Sequence, residues 1–491
     1  MKKLTYKKTE IITIMAIFYI VIITTLDFRD TSFANMFDAN TSKNLVAHNS
    51  YIKEYSLEKN SQPNGIVADR NGMVWIAGSN IHTIYKFDPS DNQIKSYPIP
   101  DSDVKLTSER PLMVWSMLQD KEGFIWFSQL GNKVMWRFDP NTAKFYPLGG
   151  IRSSPFQMKL DRDNNIWFTT LGGDTVGVIQ KTRNTNSPYK VTEFHLTNGT
   201  QPTGLFVDNN NLWITEILNQ KIVKFKILSK NGCVTNIVKE FDIPPANKTS
   251  LYLPTDIFVS KNTIWTTEHE TNFITKYNID KQTIYRFPTP QSPYGVSTLP
   301  FWMRAVDNGT KIWFNEHEGN KIALLDLVAN SLTEYDIPSR PDGGYVTYAL
   351  NLSIDPTNKN KLWFSELNTD KFGVVDASIQ PPFAIQSTMN RIVLGNDSSS
   401  RIVDIEVSKT STSDDSQRVY LNASSSTDQA GGFFKISANM SSKYIDLKDE
   451  TEHAKLYLKN LSVPAGNYTL GISASDGTVT RTIFLDLIIP N

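Results

Sequence analysis

The 491-residue sequence holds a single cysteine, Cys233, so an intramolecular disulfide and a cysteine-ligated zinc site are both excluded. It carries no surplus charge, with 50 Lys and Arg against 50 Asp and Glu. Beyond the N-terminus no block of basic residues offers a grip on phosphates, which argues against a nucleic-acid partner. Long apolar runs are absent except for one near the start. The length calls for two folded units and a targeting segment rather than one compact domain.

The exception is the stretch from Ile11 to Leu26, preceded by Lys2, Lys3, Lys7 and Lys8. Four lysines ahead of an apolar run place that end in the cytoplasm and the rest of the chain outside. As a helix the run covers about 24 Å, against about 30 Å of hydrocarbon, which fits a short signal anchor or the core of a signal peptide. The small-x-small sequence Ser32-Phe33-Ala34 is cut off from it by Asp27, Arg29 and Asp30, so an uncleaved anchor is favoured. The expected location is the cell membrane with the bulk of the chain extracellular, or secreted if the segment is cleaved. Sequons at Asn40, Asn198, Asn247, Asn308, Asn351, Asn396, Asn422, Asn439, Asn460 and Asn467 agree with export.

A tryptophan inside an apolar strand recurs seven times, as Trp75, Trp126, Trp167, Trp213, Trp265, Trp313 and Trp363, at spacings of 41 to 52 residues. That is the length of one four-stranded propeller blade. The first unit shows the order: a strand over Pro63–Asp69, a turn at Arg70-Asn71-Gly72, the Trp75 strand, a strand over Thr83–Asp88 and an outer strand over Ile94–Ile99. After Trp363 only one further strand, Lys371 to Asp376, is legible. The last blade therefore lacks its outer strand, while Tyr51–Leu57 has the outer-strand pattern and no partner upstream. Pairing the two closes the ring and removes an open edge. Large aromatics at a repeated strand position serve the core between blades, whereas Trp115, Trp136 and Trp302 lie outside the repeat position.

From about Phe383 the tryptophans stop. Seven alternating segments, from Ile402 to Ile489, with Asp476-Gly477 as a hairpin turn, suggest an immunoglobulin-like β-sandwich without its disulfide. The expected fold is all-β: a seven-bladed β-propeller followed by that sandwich, behind an N-terminal transmembrane or signal helix. The expected boundaries are an anchor over 1–30, a linker over 31–50, the propeller over 51–377, a linker over 378–390 and the sandwich over 391–491.

The repeat P-x-G-I, D-x-x-G-x-x-W-F-T-E, N-K-I, followed by E-[YF]-x-[IL]-P, resembles the streptogramin B lyase (virginiamycin B lyase) family. It is carried by Gln62–Asp69, Ile166–Thr169, Gln201–Glu216, Ile312–Ile322 and Leu362–Gly373. The resemblance implies a propeller over residues 51 to 377 and, in the family, ring opening of a cyclic depsipeptide by histidines after the blade-opening proline, an acidic residue near the end of a tryptophan strand, and Mg²⁺. The residues at the histidine positions here are Asn64, Leu112, Phe156, Thr203, Thr255 and Phe301, with Ala349-Leu350 replacing the proline pair in the last unit. Only Glu366 answers to the acidic position, so these positions hold no base for an elimination.

Glu216, Glu268, Glu316 and Glu366 each stand three residues after their tryptophan in four consecutive units, which predicts a half-ring of carboxylates at one mouth of the channel. His269 and His317 follow two of them within Glu-His-Glu triplets. Such a rim suits a hard cation, Mg²⁺ or Ca²⁺, with Glu268 and Glu316 as ligands, or a basic ligand. The bland readings are glutamates bonding neighbouring backbone and histidines in solvent-exposed loops. Trp302 and Arg304 on the inner strand of the sixth unit add a stacking surface and a cation, or Arg304 pairs with Glu316. Asp161, Asp163 and Asn165 imitate the start of a calcium loop, but Gly172 stands at the closing position, so the segment reads as a turn. Three functions remain open: a surface binding module for a small molecule or cell-surface ligand; a carbon–oxygen lyase or hydrolase with Glu366, Glu316 and His317 as its candidates; and a structural cell-surface protein.

Overall fold

The structure is a computed structural model that describes residues 49–490 apart from 101–112, 131–132, 184–187, 209, 229–232, 247–250, 270, 291–297, 342–345, 396–399, 411–416, 427–435 and 462. The anchor expected over 1–30 lies outside the described residues. Among those described, no helix is long and apolar enough to cross a membrane.

Seven antiparallel sheets follow one another along the chain, and we number them I to VII. Sheets I to VI take four consecutive strands each, over residues 63–98, 117–148, 154–195, 202–242, 253–288 and 300–336. Sheet VII takes Ala349–Ile354, Lys361–Glu366 and Lys371–Asp376, and its fourth strand is Ile52–Ser56 from the start of the chain, paired from Ile52↔Val375 to Ser56↔Lys371. The first strand of each sheet lies against the first strand of the next, and that of sheet VII lies against that of sheet I.

The turn after each first strand is set by an aspartate. Asp69 accepts from the amides of Asn71 and Met73 through Oδ1, and Oδ2 takes the indole N–H of Trp75 at 2.8 Å. Asp120 and Trp126, Asp161 and Trp167, and Asp355 and Trp363 repeat the indole bond. The calcium-loop imitation at Asp161 is one of these turns. The repeat tryptophans are buried in the core, where they pack against aromatics such as Phe138 on Trp75 and Phe372 on Trp363.

The C-terminal unit departs from expectation at its start. Phe383–Ser387, assigned to a linker, is a strand paired with Arg401–Lys409, so the unit begins at Phe383 rather than at 391. Its strands form two sheets, one of which is not separate from the propeller region. Val479–Ile489 pairs antiparallel with Ser331–Asp336, the outer strand of sheet VI, from Tyr335↔Val479 to Ser331↔Ile483. The two units thus share a nine-stranded sheet. Phe484 enters the core beside Leu332 and Phe287.

Two sequons face inward. Asn351 is 4% exposed and Asn460 is 9% exposed, so neither side chain is free to carry a glycan in the folded chain.

Candidate functional site

Six of the seven first strands break register near their start, as between Pro63 and Ile66 or Pro300 and Met303, while that of sheet II pairs only from Met117. In sheets II to VI the side chain two residues after the repeat tryptophan accepts from an amide near the start of the first strand. Thr169 Oγ1 accepts from Gln157 N and donates to Thr203 O of the next sheet, and Thr267 Oγ1 accepts from Asp256 N and donates to Phe301 O. Asn315 and Ser365 continue the pattern toward Ala349 O and Asn64 O. These bonds fix where the residue after each break stands.

That residue is Asn64, Trp115, Phe156, Thr203, Thr255, Phe301 or Leu350. In sheet II the pairing of Leu118 with Trp126, matching Val67 with Trp75, puts Val114 at the proline position and Trp115 after it, so the sequence alignment on Leu112 was three residues out. Trp115 and Phe156 lie 5.0 Å apart between ring centroids, Phe156 and Trp302 5.2 Å, and Phe301 and Trp302 4.6 Å. This buried aromatic plug fills the place where the resembled family holds histidines.

The four glutamates are all buried, but they do not form a rim. Alternation along the strand turns each into its own sheet, toward the third and fourth strands. Glu268 Oε1 accepts from Arg286 Nε at 2.8 Å and from Thr275 Oγ1. Glu216 accepts from Asn219 and Glu366 from Thr369. Glu316 lies beside Glu334, whose Oε1 is 3.0 Å from Lys321 Nζ. In sheet VII Glu54 supplies the matching carboxylate, beside Lys371 and Glu366. Burial, then the neighbouring Glu54 carboxylate, raises Glu366 to about 8, and burial with Glu334 raises Glu316 well above the usual range. These are uncharged or internally paired groups. Among the described residues no three His, Cys, Asp or Glu side chains gather to hold a metal ion; Glu268 is paired with Arg286, and Glu316 lies beside Glu334.

The histidines are not solvent-exposed loop residues. His269 and His317 stand four residues after their tryptophans, one beyond the glutamates, on the opposite side of the strand. They are 4% and 8% exposed, with ring centroids 5.4 Å apart, and both contact Phe301. The matching residues of other sheets include Leu130, Leu171, Ile217 and Leu367, so the pair is the titratable part of a largely apolar ring. Burial and the neighbouring imidazole hold His317 well below the ordinary histidine range, and its Nδ1 has no hydrogen-bond partner.

Arg304 lies farther down the channel, opposite Trp313 in register, and not beside Glu316. Its carboxylate is Asp256 of sheet V at 3.5 Å, and its Nε donates to Leu352 O at 3.0 Å. Asp256, Gln157 and Lys159 escape a linear reading of the sequence, and Trp115 stands out there only as a tryptophan outside the repeat position. The available signal was that each breaks the repeat at a fixed position.

An all-β chain of radially ordered four-stranded sheets with propeller-like relatives defines the class. The chain belongs to the virginiamycin B lyase family, whose description matches residues 34–300 and 104–387. Among solved structures, virginiamycin B lyase from Staphylococcus aureus is 24% identical with a TM-score of 0.52, covering 66% of this chain and 98% of that one. A streptogramin B lyase is 23% identical with a TM-score of 0.52, over 66% of this chain and 97% of its own. A catalytically inactive variant of the S. aureus lyase with quinupristin matches at 23% identity, a TM-score of 0.52, and 66% and 98% coverage. At these identities the likeness carries the fold alone. No protein of curated function matches the chain.

Proposed function

We propose that this protein is an exported, membrane-tethered binding module: a seven-bladed β-propeller with an immunoglobulin-like sandwich, holding a small molecule at the imidazole-bearing end of its channel. The observation that carries the reading is the aromatic plug. Trp115, Phe156 and Phe301 stand after the register break where an elimination needs a base, and none of the seven residues in that ring ionises in the ordinary range. His269, His317 and Phe301, nearly closed to solvent, pack ring against ring beside half-buried Tyr348 with imidazole nitrogens among them, an environment that suits a neutral ring-bearing ligand. No cation is assigned to this end, because the neighbouring carboxyls turn away from it.

A second reading rests on one observation. His317 is held neutral with a free Nδ1, the state a general base requires, so a lyase with its base moved from the first strand to the end of the second is chemically coherent. Incubation of the purified protein and Mg²⁺ with quinupristin and other cyclic depsipeptides decides between the two. The binding reading expects saturable binding of a panel member without ring opening, weakened at least tenfold in a His269→Ala/His317→Ala variant. Ring opening that disappears in His317→Ala would instead establish the lyase.

A further inference from the structure

Beyond the plug, the channel continues to the ends of the first strands, away from His269 and His317. A cavity of about 310 Å³ lies there, with Ile66, Met117, Leu118 and Ile354 among its walls. Two cations line it. Lys159 in sheet III and Arg304 in sheet VI occupy the same repeat position, each opposite its sheet's tryptophan, where the other sheets carry Val67, Leu118, Phe206, Phe258 and Ser353. A repeat has no packing reason to place a lysine and an arginine in two of seven copies and apolar or small groups in the rest.

Among the described residues, the single carboxylate nearby is already used. Asp256 Oδ1 accepts from Gln157 Nε2 at 2.9 Å and from its neighbour's amide, Ile257 N, at 2.8 Å. Its Oδ2 accepts from Met303 N at 2.8 Å and from Arg304 Nη1 at 3.5 Å. Arg304 spends Nε on Leu352 O and Nη1 on Met303 O, which leaves Nη2 without a protein acceptor among the described residues. The Lys159 ammonium makes no hydrogen bond among the described residues. Desolvation and the Arg304 charge pull its pKa down to about 8, and Asp256 offsets this only in part. Two cations share one saturated anion in a partly apolar chamber, where Lys159 and Arg304 are half-buried and one positive charge has no protein counter-ion among the described residues. Such a charge is costly to bury without a counter-ion.

We propose that this chamber is a second ligand site, which takes a small organic anion: a carboxylate or phosphate head held by Lys159 Nζ and Arg304 Nη2, and an apolar body against Ile66, Met117, Leu118 and Ile354. A volume of about 310 Å³ is at the lower end of ligand pockets and too small for a macrocycle. The site is therefore independent of the imidazole end and of its ligand.

The test is titration calorimetry and thermal unfolding of the full-length protein with benzoate, phenyl phosphate and neutral benzamide. At least one of the two anions is expected to bind saturably and to raise the melting temperature, with benzamide at least tenfold weaker. The preferred anion identifies the head group. Lys159→Met should weaken anion binding at least tenfold and, by removing an unpaired charge, raise the melting temperature of the anion-free protein. Lys144→Met, at an exposed position, and His269→Ala/His317→Ala should leave anion binding unchanged. Absence of saturable binding by both anions, or equal binding by Lys159→Met, would overturn the proposal. Because the Lys159 ammonium is bonded to no protein group among the described residues, Lys159→Met removes no internal contact and is expected to fold.

Discussion

The hydroxyl of Ser365 donates to the carbonyl of Asn64 at 2.6 Å, joining the last sheet to the first across 301 positions of sequence. It is the closing member of the series begun by Thr169 and Thr267, and it acts together with the Ile52–Ser56 strand. Ser365→Ala should cost about 1 kcal/mol, since one buried carbonyl loses its donor. Thr267→Val should cost more, about 2 kcal/mol, because Asp256 N and Phe301 O are both left unpaired. Urea unfolding of the two variants measures the difference, and equal effects would contradict the stitching role.

Close approach of first strands explains the glycine in P-x-G-I. A Cβ on Gly204 would lie 2.7 Å from Thr255 O and 2.9 Å from Asp256 Cα, both backbone atoms that cannot rotate away. Gly204→Ala is expected to destabilise by about 1–3 kcal/mol through overpacking. A chemical denaturation midpoint unchanged from wild type would show that the neighbouring strand yields freely.

The buried glutamates set a pH dependence with a definite sign. Glu366 has a folded pKa of about 8 against 4.5 unfolded, so the folded chain binds the extra proton. Its contribution is complete below about pH 4.5 and is lost as pH rises through about 8. Glu316 and Glu216 are shifted in the same direction. The melting temperature should therefore fall between pH 6 and pH 9, and Glu366→Gln should flatten that fall. Thermal unfolding across this range provides the check.

His317 works on the other side of neutrality. Its folded pKa is depressed, so its contribution is present above the unfolded value of 6.5 and is lost as pH drops below it. His317→Phe should make the protein less sensitive to acid between pH 6.5 and pH 5, with little change at pH 8. A variant that tracks wild type through that window would place the imidazole in water rather than against Phe301.

The shared sheet couples the two units. Phe484 of the C-terminal unit is buried against Phe287 and Leu332, and Phe484→Ala should cost about 3–4 kcal/mol, as core aromatic truncations do. Calorimetry should show the loss in the propeller transition as well as in that of the C-terminal unit. A chain ending at residue 381 would expose the Ser331–Asp336 edge and is expected to self-associate.

Local pattern made several features legible. The seven tryptophan units, the D-x-x-G turns, the Asp476-Gly477 hairpin and the unpaired outer strand near residue 52 each depend on neighbours within a few residues or on a period that a linear reading detects. The pairing of Ile52–Ser56 with Lys371–Asp376 could be anticipated because one end lacked a strand and the other had one to spare. The strand at Phe383–Ser387 escaped notice because its pairing depends on Arg401–Lys409 and not on its own short pattern.

By itself the sequence determined the all-β repeat, its period and its family, because alternation and turn chemistry are properties of contiguous residues. Only the tertiary structure decided where side chains point. A strand reverses its facing at every residue, so Glu316 turns into its own sheet while His317, one position on, reaches the channel end to meet His269. The nearness of Lys159 to Arg304 and Asp256 likewise exists only once three separate sheets converge on one axis.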